Sequence, residues 1–430
     1  MAYLPRKRLS STTRQDKYFC IVSPPSEHHW PIYINWPDQE FLGDLTSAAH
    51  LRSPKDLQCY VARNADELET ILKDIVQELE QWTDETPRED KRTVKFMETF
   101  MESLRLHAFP TRETKPGDEA LICQEYLLKL FRKLGYYTSK PFLDHEISLP
   151  SKNYCARGGF ADIHKGVWLG GRSVAIKVLR FEKHTADVIR KYFDRELRVW
   201  RLLQHPNVLP LCGTYTGFGK EKLCFVSPWQ VNGNIREYLG KNSHFDRLNF
   251  MYEAALGLQY LHDRIPQVIH GDLRGTNIFV SETEHALIAD FGLSILTEQP
   301  GFTSDSWGNG SLRWMAAELL SEEIAEDTRR TTASDIYAYA CTVLEVLTDN
   351  HPFAEVVRDV QIVHHVVNMK KTPQRPPDDS PAVSRGLSDD LWQLLRKCWL
   401  RDRQKRPRID FVVDSTALYS RRVPSKVEIL

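Results

Sequence analysis

Apolar residues recur along this chain with two different periods, and the change from one to the other divides it. From Asn64, set with Glu67 as a capping box, Leu68, Ile71, Leu72, Ile75, Val76, Leu79 and Trp82 fall three or four residues apart, the spacing of one helix face. Val94, Met97, Phe100, Met101 and Leu104 repeat that period. So do Leu121, Leu127, Leu128, Phe131 and Leu134, closed by Lys133 and Gly135 as a C-terminal signal. Three such faces can bury one another, so residues 64–137 are expected to form a helical bundle. Residues 68, 72, 75, 79 and 82 also step like a coiled-coil arm, but fewer than three heptads favours an internal core. Residues 1–63 show little periodicity, although Trp30, Trp36 and Phe41 suggest that something packs there. Residues 138–151, with Pro141 and Pro150, read as a linker.

Downstream the period shortens to two. In Val174-Ala175-Ile176-Lys177-Val178, alternation puts Ala175 and Lys177 on one face and the three branched residues on the other. Ile278-Phe279-Val280 and residues 286–289 flank the polar turn 281–285, which predicts a hairpin. Pairing Val280 with Ala286 places Asn277 opposite Ala289, one residue from Asp290. Two oxygen ligands would then meet, and such donors suit Mg²⁺, which binds a carboxylate or two together with substrate phosphates. Asp272 opens the same loop and is left to accept a proton. The plain alternative for each residue alone is an Asp/Asn-rich loop capping its own backbone.

Composition and charge narrow the field. At 430 residues with 41% hydrophobic residues the chain can bury large cores, and a formal net charge of -1 provides no basic field for nucleic acid or an anionic membrane. The eight cysteines are scattered without a CxxC pair, which argues against a zinc site or a disulfide framework and for a reducing compartment. No signal core and no spanning apolar run is evident, so a soluble, cytoplasmic protein is expected. The cluster Arg6-Lys7-Arg8 leaves the nucleus as the alternative location, and otherwise reads as a solvated terminus.

His270-Gly271-Asp272-Leu273-Arg274-x-x-Asn277 followed by Asp290-Phe291-Gly292 resembles the catalytic and metal-binding loops of eukaryotic protein kinases. Further motifs carry the resemblance over residues 150–415. They are the loop 155–167, Val174-Ala175-Ile176-Lys177, Glu196 in a helical run, Val226-Ser227-Pro228-Trp229-Gln230, Ser311-Leu312-Arg313-Trp314-Met315-Ala316-Ala317-Glu318, Asp335 and Arg406. The chain looks closest to the tyrosine-kinase-like branch, and is similar to kinases of mushroom-forming fungi. The fold implied is α+β and bilobal: a small antiparallel β-sheet lobe and a helical lobe over residues 152–415. The mainly helical region precedes it and a basic tail, 416–430, follows.

The resemblance also implies roles. ATP would lie against Cys155, Ala156, Gly158, Phe160, Ile163, Ala175, Ser227 and Trp229, with Lys177 on its α- and β-phosphates and Glu196 pairing that lysine. Asn277 and Asp290 would hold Mg²⁺, or Mn²⁺ in its place. Asp272 would take the proton of the acceptor hydroxyl while Arg274 steadies the transferred group. Asp335 would brace the catalytic loop and Arg406 would pair with Glu318.

The departures from the family pattern matter as much. Ala156 and Ala161 replace two loop glycines, and Ala317 replaces a proline. A pseudokinase scaffold is therefore the alternative reading, opposed by the presence of Lys177, Asp272, Asn277 and Asp290. Ser311 favours serine/threonine substrates and Arg274 pulls weakly toward tyrosine. Gly271 stands where many kinases carry an arginine that needs a phosphorylated activation loop, so activity independent of Thr303, Ser304 and Ser306 is expected. A protein substrate is implied, and the N-terminal helices would recruit a partner.

Overall fold

The computed structural model describes residues 101–419 except 103, 106–107, 110–117, 135–142, 144–145, 150–152, 158–160, 170, 181–185, 220–221, 291–294, 297–311 and 322–329. Several expectations lie outside the described residues: the segment 1–63, the helix faces up to Phe100, Gly158 and Phe160 of the loop, Phe291, Gly292, Thr303, Ser304, Ser306 and Ser311, and the end of the tail. The chain divides into two compact units, residues 1–148 with 167–172 and residues 149–166 with 173–430.

In the first unit, α1 (Asp118–Leu134) forms where the third apolar face predicts it; Leu127 of that face is buried, Leu121 is not, and the side chains of Phe131 and Leu134 lie outside the described residues. Ala120, Cys123, Tyr126, Leu127 and Leu130 are buried, whereas Leu121 is 54% exposed. Positions 123, 126, 127 and 130 are separated by three and four residues, so they form the true face. Leu121 lies about 160° round the helix from Cys123. Met101, Leu104 and Ala108 are buried as well, and the Gln124 amide donates to the Ala108 carbonyl at 2.8 Å. Glu146 accepts from the Trp168 indole N–H at 2.9 Å and pairs with Arg105.

The second unit carries the antiparallel sheet in the order β1-β2-β3-β5-β4. These strands are β1 (Ala156–Arg157), β2 (Ala161–Trp168), β3 (Arg172–Leu179), β4 (Gly213–Tyr215) and β5 (Cys224–Pro228). Val174, Ile176 and Val178 of β3 are buried and Ala175 and Lys177 half-buried, as alternation predicts. Helix α2 (Ala186–Trp200) carries Glu196.

The remainder is mainly helical, with α3 (Ile235–Lys241), α4 (Arg247–His262), α5 (Ala317–Leu320), α6 (Thr332–Thr348), α7 (Val360–Val363), α8 (Pro381–Ser384), α9 (Asp389–Cys398) and α10 (Ile409–Ala417). The core centres on α4 and α6. Both are buried on almost every side and so lack a clear apolar stripe, as expected of helices inside a domain. Their starts are specified locally: Asp246 accepts from Leu248 and Asn249 N–H groups, and Thr331 with Ser334 forms a capping box. Short pairs complete the lobe, β6 (Val268–Ile269) with β9 (Ile295–Leu296) and β7 (Ile278–Val280) with β8 (Ala286–Ile288). The β7–β8 register is the one read from the sequence, with Val280 opposite Ala286 and the Ala289 N–H donating to the Asn277 carbonyl at 2.9 Å.

Candidate active site

The loop from His270 to Asn277 is held from beneath by α6. Asp335, 1% exposed, accepts from the His270 N–H and His262 Nε2 on one oxygen and from the Gly271 N–H on the other, at 2.9–3.0 Å. His270 Nδ1 accepts from the Asp272 N–H at 3.2 Å while its Nε2 donates to the Ala289 carbonyl at 3.0 Å. Burial pulls the His270 pKa down, against the pull of Asp335, which keeps this one-donor, one-acceptor form. Gly271 has φ +80°, a conformation strained for other L-residues, and its carbonyl accepts from Arg330 Nε at 2.9 Å.

Glu345 makes a second brace. One of its oxygens accepts from the Gly275 N–H at 2.9 Å and from the Trp314 indole at 3.0 Å, and the other lies 3.3 Å from Arg236 Nε. A Cβ on Gly275 would lie 2.9 Å from Arg236 Cγ and 3.1 Å from the Glu345 carboxyl carbon, so glycine permits this approach. Sequence reasoning missed Glu345 and Arg330. Glu345 had a signal, a carboxylate alone in the apolar run 336–347, which a buried helix keeps only when partners surround it.

Along that loop, the Asp272 carboxylate accepts from Asn277 Nδ2 at 3.0 Å and lies 3.5 Å from Arg274 Nε. Burial raises the Asp272 pKa above its ordinary value, outweighing Arg274. Asn277 Nδ2 also donates to the Asp272 carbonyl at 2.8 Å. That orientation turns the amide nitrogen toward Asp272 and the amide oxygen away from it.

On the sheet side, Lys177 stands beside the buried Glu196, with Nζ 3.5 Å from Oε1, and forms its closer ion pair with Asp290. Burial pushes the Lys177 ammonium down, but Asp290 and Glu196 together carry it above its ordinary value. Burial would raise Asp290, yet Lys177 overrides it and the net shift is downward. Burial raises Glu196 despite Lys177. Asp290 has φ +66°, unusual for aspartate. The hairpin therefore delivers Asp290 to Lys177 and Asn277 to Asp272.

The remaining positions are distributed as follows. Ala175 and the buried Ser227 are direct cross-strand partners on β3 and β5. Ala156 pairs with Ile163, and the N–H of the exposed Cys155 donates to the Ile163 carbonyl at 2.7 Å. The Trp229 N–H is engaged by the Ser173 carbonyl at 3.0 Å, and Lys165 Nζ lies over its ring, 5.1 Å from the centroid. The Gln230 side chain donates to the Pro228 carbonyl at 3.3 Å.

Residues 150–415 match the family described as protein tyrosine and serine/threonine kinase, which is more than half of the chain. The chain belongs to this protein kinase family. Among similar curated proteins, serine/threonine-protein kinase STY17 of Arabidopsis thaliana is 28% identical over 63% of this chain and 44% of its own length. Serine/threonine-protein kinase CTR1 of the same plant is 27% identical over 61% and 30%, and human serine/threonine-protein kinase A-Raf 28% over 69% and 47%. The chain thus spans less than half the length of these relatives. They are kinases of the tyrosine-kinase-like branch, in agreement with the motifs. Kinases of this family use ATP with Mg²⁺ and act on proteins. The oxygen donors of Asn277 and Asp290 beside Asp272 and Lys177 have the chemistry that such a metal–nucleotide pair requires. Among the described residues no helix is long and apolar enough to cross a membrane.

Proposed function

We propose that this chain transfers the γ-phosphoryl group of Mg-ATP to serine or threonine hydroxyls of a protein substrate. The observation that carries the reading is the ion-paired set Lys177, Glu196 and Asp290 on one side with the braced Asp272–Asn277 pair on the other. Phosphoryl transfer needs positioning and charge neutralisation more than covalent help from the protein. Mg²⁺, held by Asn277 and Asp290, would neutralise phosphate charge. Lys177, anchored by Glu196, would hold the α- and β-phosphates. The acceptor oxygen forms its bond to the γ-phosphorus as the bond to the bridging oxygen breaks and ADP leaves. The hydroxyl proton passes to Asp272, whose raised pKa makes it a better base than an exposed aspartate. Arg274, 3.5 Å from Asp272, would steady the transferred group. Cys155, Ala156, Gly158, Phe160, Ile163, Ala175, Ser227 and Trp229 would line the nucleotide pocket. We place this activity in the cytoplasm, in the domain 152–415, with the helical region 64–137 as its regulatory or interaction arm.

The test is transfer of labelled γ-phosphate by the purified chain to itself and to a generic basic protein, with Mg²⁺ and then Mn²⁺. Asp272→Asn should lose at least about 10²-fold in rate. Phosphoserine and phosphothreonine are the expected products. Equal transfer by the Asp272→Asn protein, or phosphotyrosine alone, would refute the reading.

A further inference from the structure

A cleft of about 230 Å³ opens in the helical lobe between the stretch that follows α7 and the end of α9. Lys370, Lys371, Arg396 and Arg401 line it, and among the described residues no carboxylate does. Arg406 reaches it too, but its two terminal guanidinium nitrogens are matched by Glu318, at 2.6 and 2.8 Å, and its Nε donates to the Leu400 carbonyl at 2.7 Å. Four cations therefore surround one concave volume, with no lining acid among the described residues to balance them. Their mutual repulsion opposes the arrangement, and an anion in the cleft would relieve it.

The backbone around these cations is irregular in a specific way. Helix α7 runs into a π-helical turn, His364–Asn368, in which the Met369 N–H donates to the His364 carbonyl at 2.9 Å; the Lys371 N–H then reaches the His365 carbonyl at 3.0 Å. Such turns are rare and concentrate at functional sites. Lys370 follows with φ +53°, a left-handed conformation strained for lysine. Arg401 Nη1 donates to the Val367 carbonyl at 3.0 Å, which fixes its guanidinium beside the same turn. Besides Thr372 and Tyr337 the remaining lining is apolar, with Val366 and Trp399 buried and Leu400 half open.

We propose that this cleft binds a phosphorylated serine or threonine within a segment of a partner protein. The four cations and the Thr372 hydroxyl, also in the lining, would hold the dianion, and Val366, Trp399 and Leu400 would take the residue beside it. A bare anion has no use for that apolar floor. A membrane surface meets flat or convex basic faces more readily than a small concavity. The site stands whether or not the chain transfers phosphate, so its test is separate from the kinase assay.

The experiment titrates a fluorescent phosphoserine peptide with leucine and alanine flanks into the full chain, its nucleotide pocket filled with a non-hydrolysable ATP analogue. Saturable binding is expected, at least about tenfold tighter than that of the unphosphorylated peptide. Lys370→Glu with Lys371→Glu should weaken it by about tenfold or more, and Arg396→Glu should do so independently. All three side chains are exposed, so unchanged melting of the variants is expected. Lys397→Glu with Lys405→Glu, on the neighbouring face, should bind as the unaltered protein does. Equal affinity for both peptides, or affinity untouched by the Lys370/Lys371 and Arg396 changes, would overturn the proposal. Sedimentation with anionic-lipid vesicles without any peptide affinity would overturn it in favour of a membrane contact.

Discussion

Gly257 lies inside α4, where propensity alone says that alanine should be better by about 1 kcal/mol. Packing reverses that sign. A Cβ there would sit 2.6 Å from the Asn207 carbonyl oxygen and 3.2 Å from the Ile288 side chain, and that carbonyl already accepts from the Ile288 N–H at 2.9 Å. Because the obstacle is backbone tied to β8, Gly257→Ala should destabilise the protein by about 1–3 kcal/mol in denaturant titration. His205 illustrates the electrostatic counterpart. It stacks on Tyr260 with centroids 4.9 Å apart, its Nδ1 accepts from the Asn207 N–H at 3.1 Å, and burial lowers its pKa from 6.5 to about 4. The folded value is below the unfolded one, so this histidine's stabilising share is complete above about pH 6.5 and is lost as pH falls toward 4. Between about pH 7.5 and pH 5 the denaturation midpoint should drop less in His205→Gln than in the unaltered protein.

At the scale of elements, Arg313 shows how the stretch just before α5 is locked. Its guanidinium donates to Asp359 at 2.7 Å and to the carbonyls of Pro352, Phe353 and Val356 at 2.7–3.1 Å. A small apolar cluster of Phe353, Val356, Ile362 and Val366 packs beside it, with Leu312, Ala317 and Leu320 against its edge. Arg313→Met would leave three carbonyls without their donor, destabilising this region by about 2 kcal/mol or more. The KM for a protein acceptor should then rise while the KM for ATP stays unchanged, because Lys177 and Ser227 lie on other elements. Steady-state kinetics against each substrate separates the two. The β7–β8 hairpin was legible because two short apolar runs flank a polar turn of hairpin length, and both signals are local. The buried stripe of α1 was read correctly at Leu127 but not at Leu121, because leucines were weighted over Cys123 and Tyr126, which are also buried at helical spacing.

Across the whole molecule, the loop His270–Asn277 is stabilised from α6 through Asp335 and Glu345, and from the segment before α6 through Arg330. These braces do not require a phosphate. With Gly271 at the position where many kinases carry arginine, no guanidinium there awaits neutralisation. Thr303→Ala with Ser304→Ala and Ser306→Ala should therefore keep phosphotransfer within about threefold of the unaltered rate, measured on matched folded proteins. Abolished activity would instead mean that a phosphate on that segment is needed.

The sequence by itself determined the kinase family, the bilobal plan and the β7–β8 register, and it nominated Lys177, Asp272, Asn277 and Asp290 as site residues. Each rests on residue types at fixed local spacing, or on alternation along one strand. Only the tertiary structure decided that Asp290 pairs with Lys177, that the Trp229 N–H turns to Ser173, and that Glu345, Arg330 and Arg313 hold the loops in place. Those contacts join residues far apart in the chain. A carboxylate or guanidinium on a buried helix reveals its partner only when packing brings the partner within hydrogen-bonding distance.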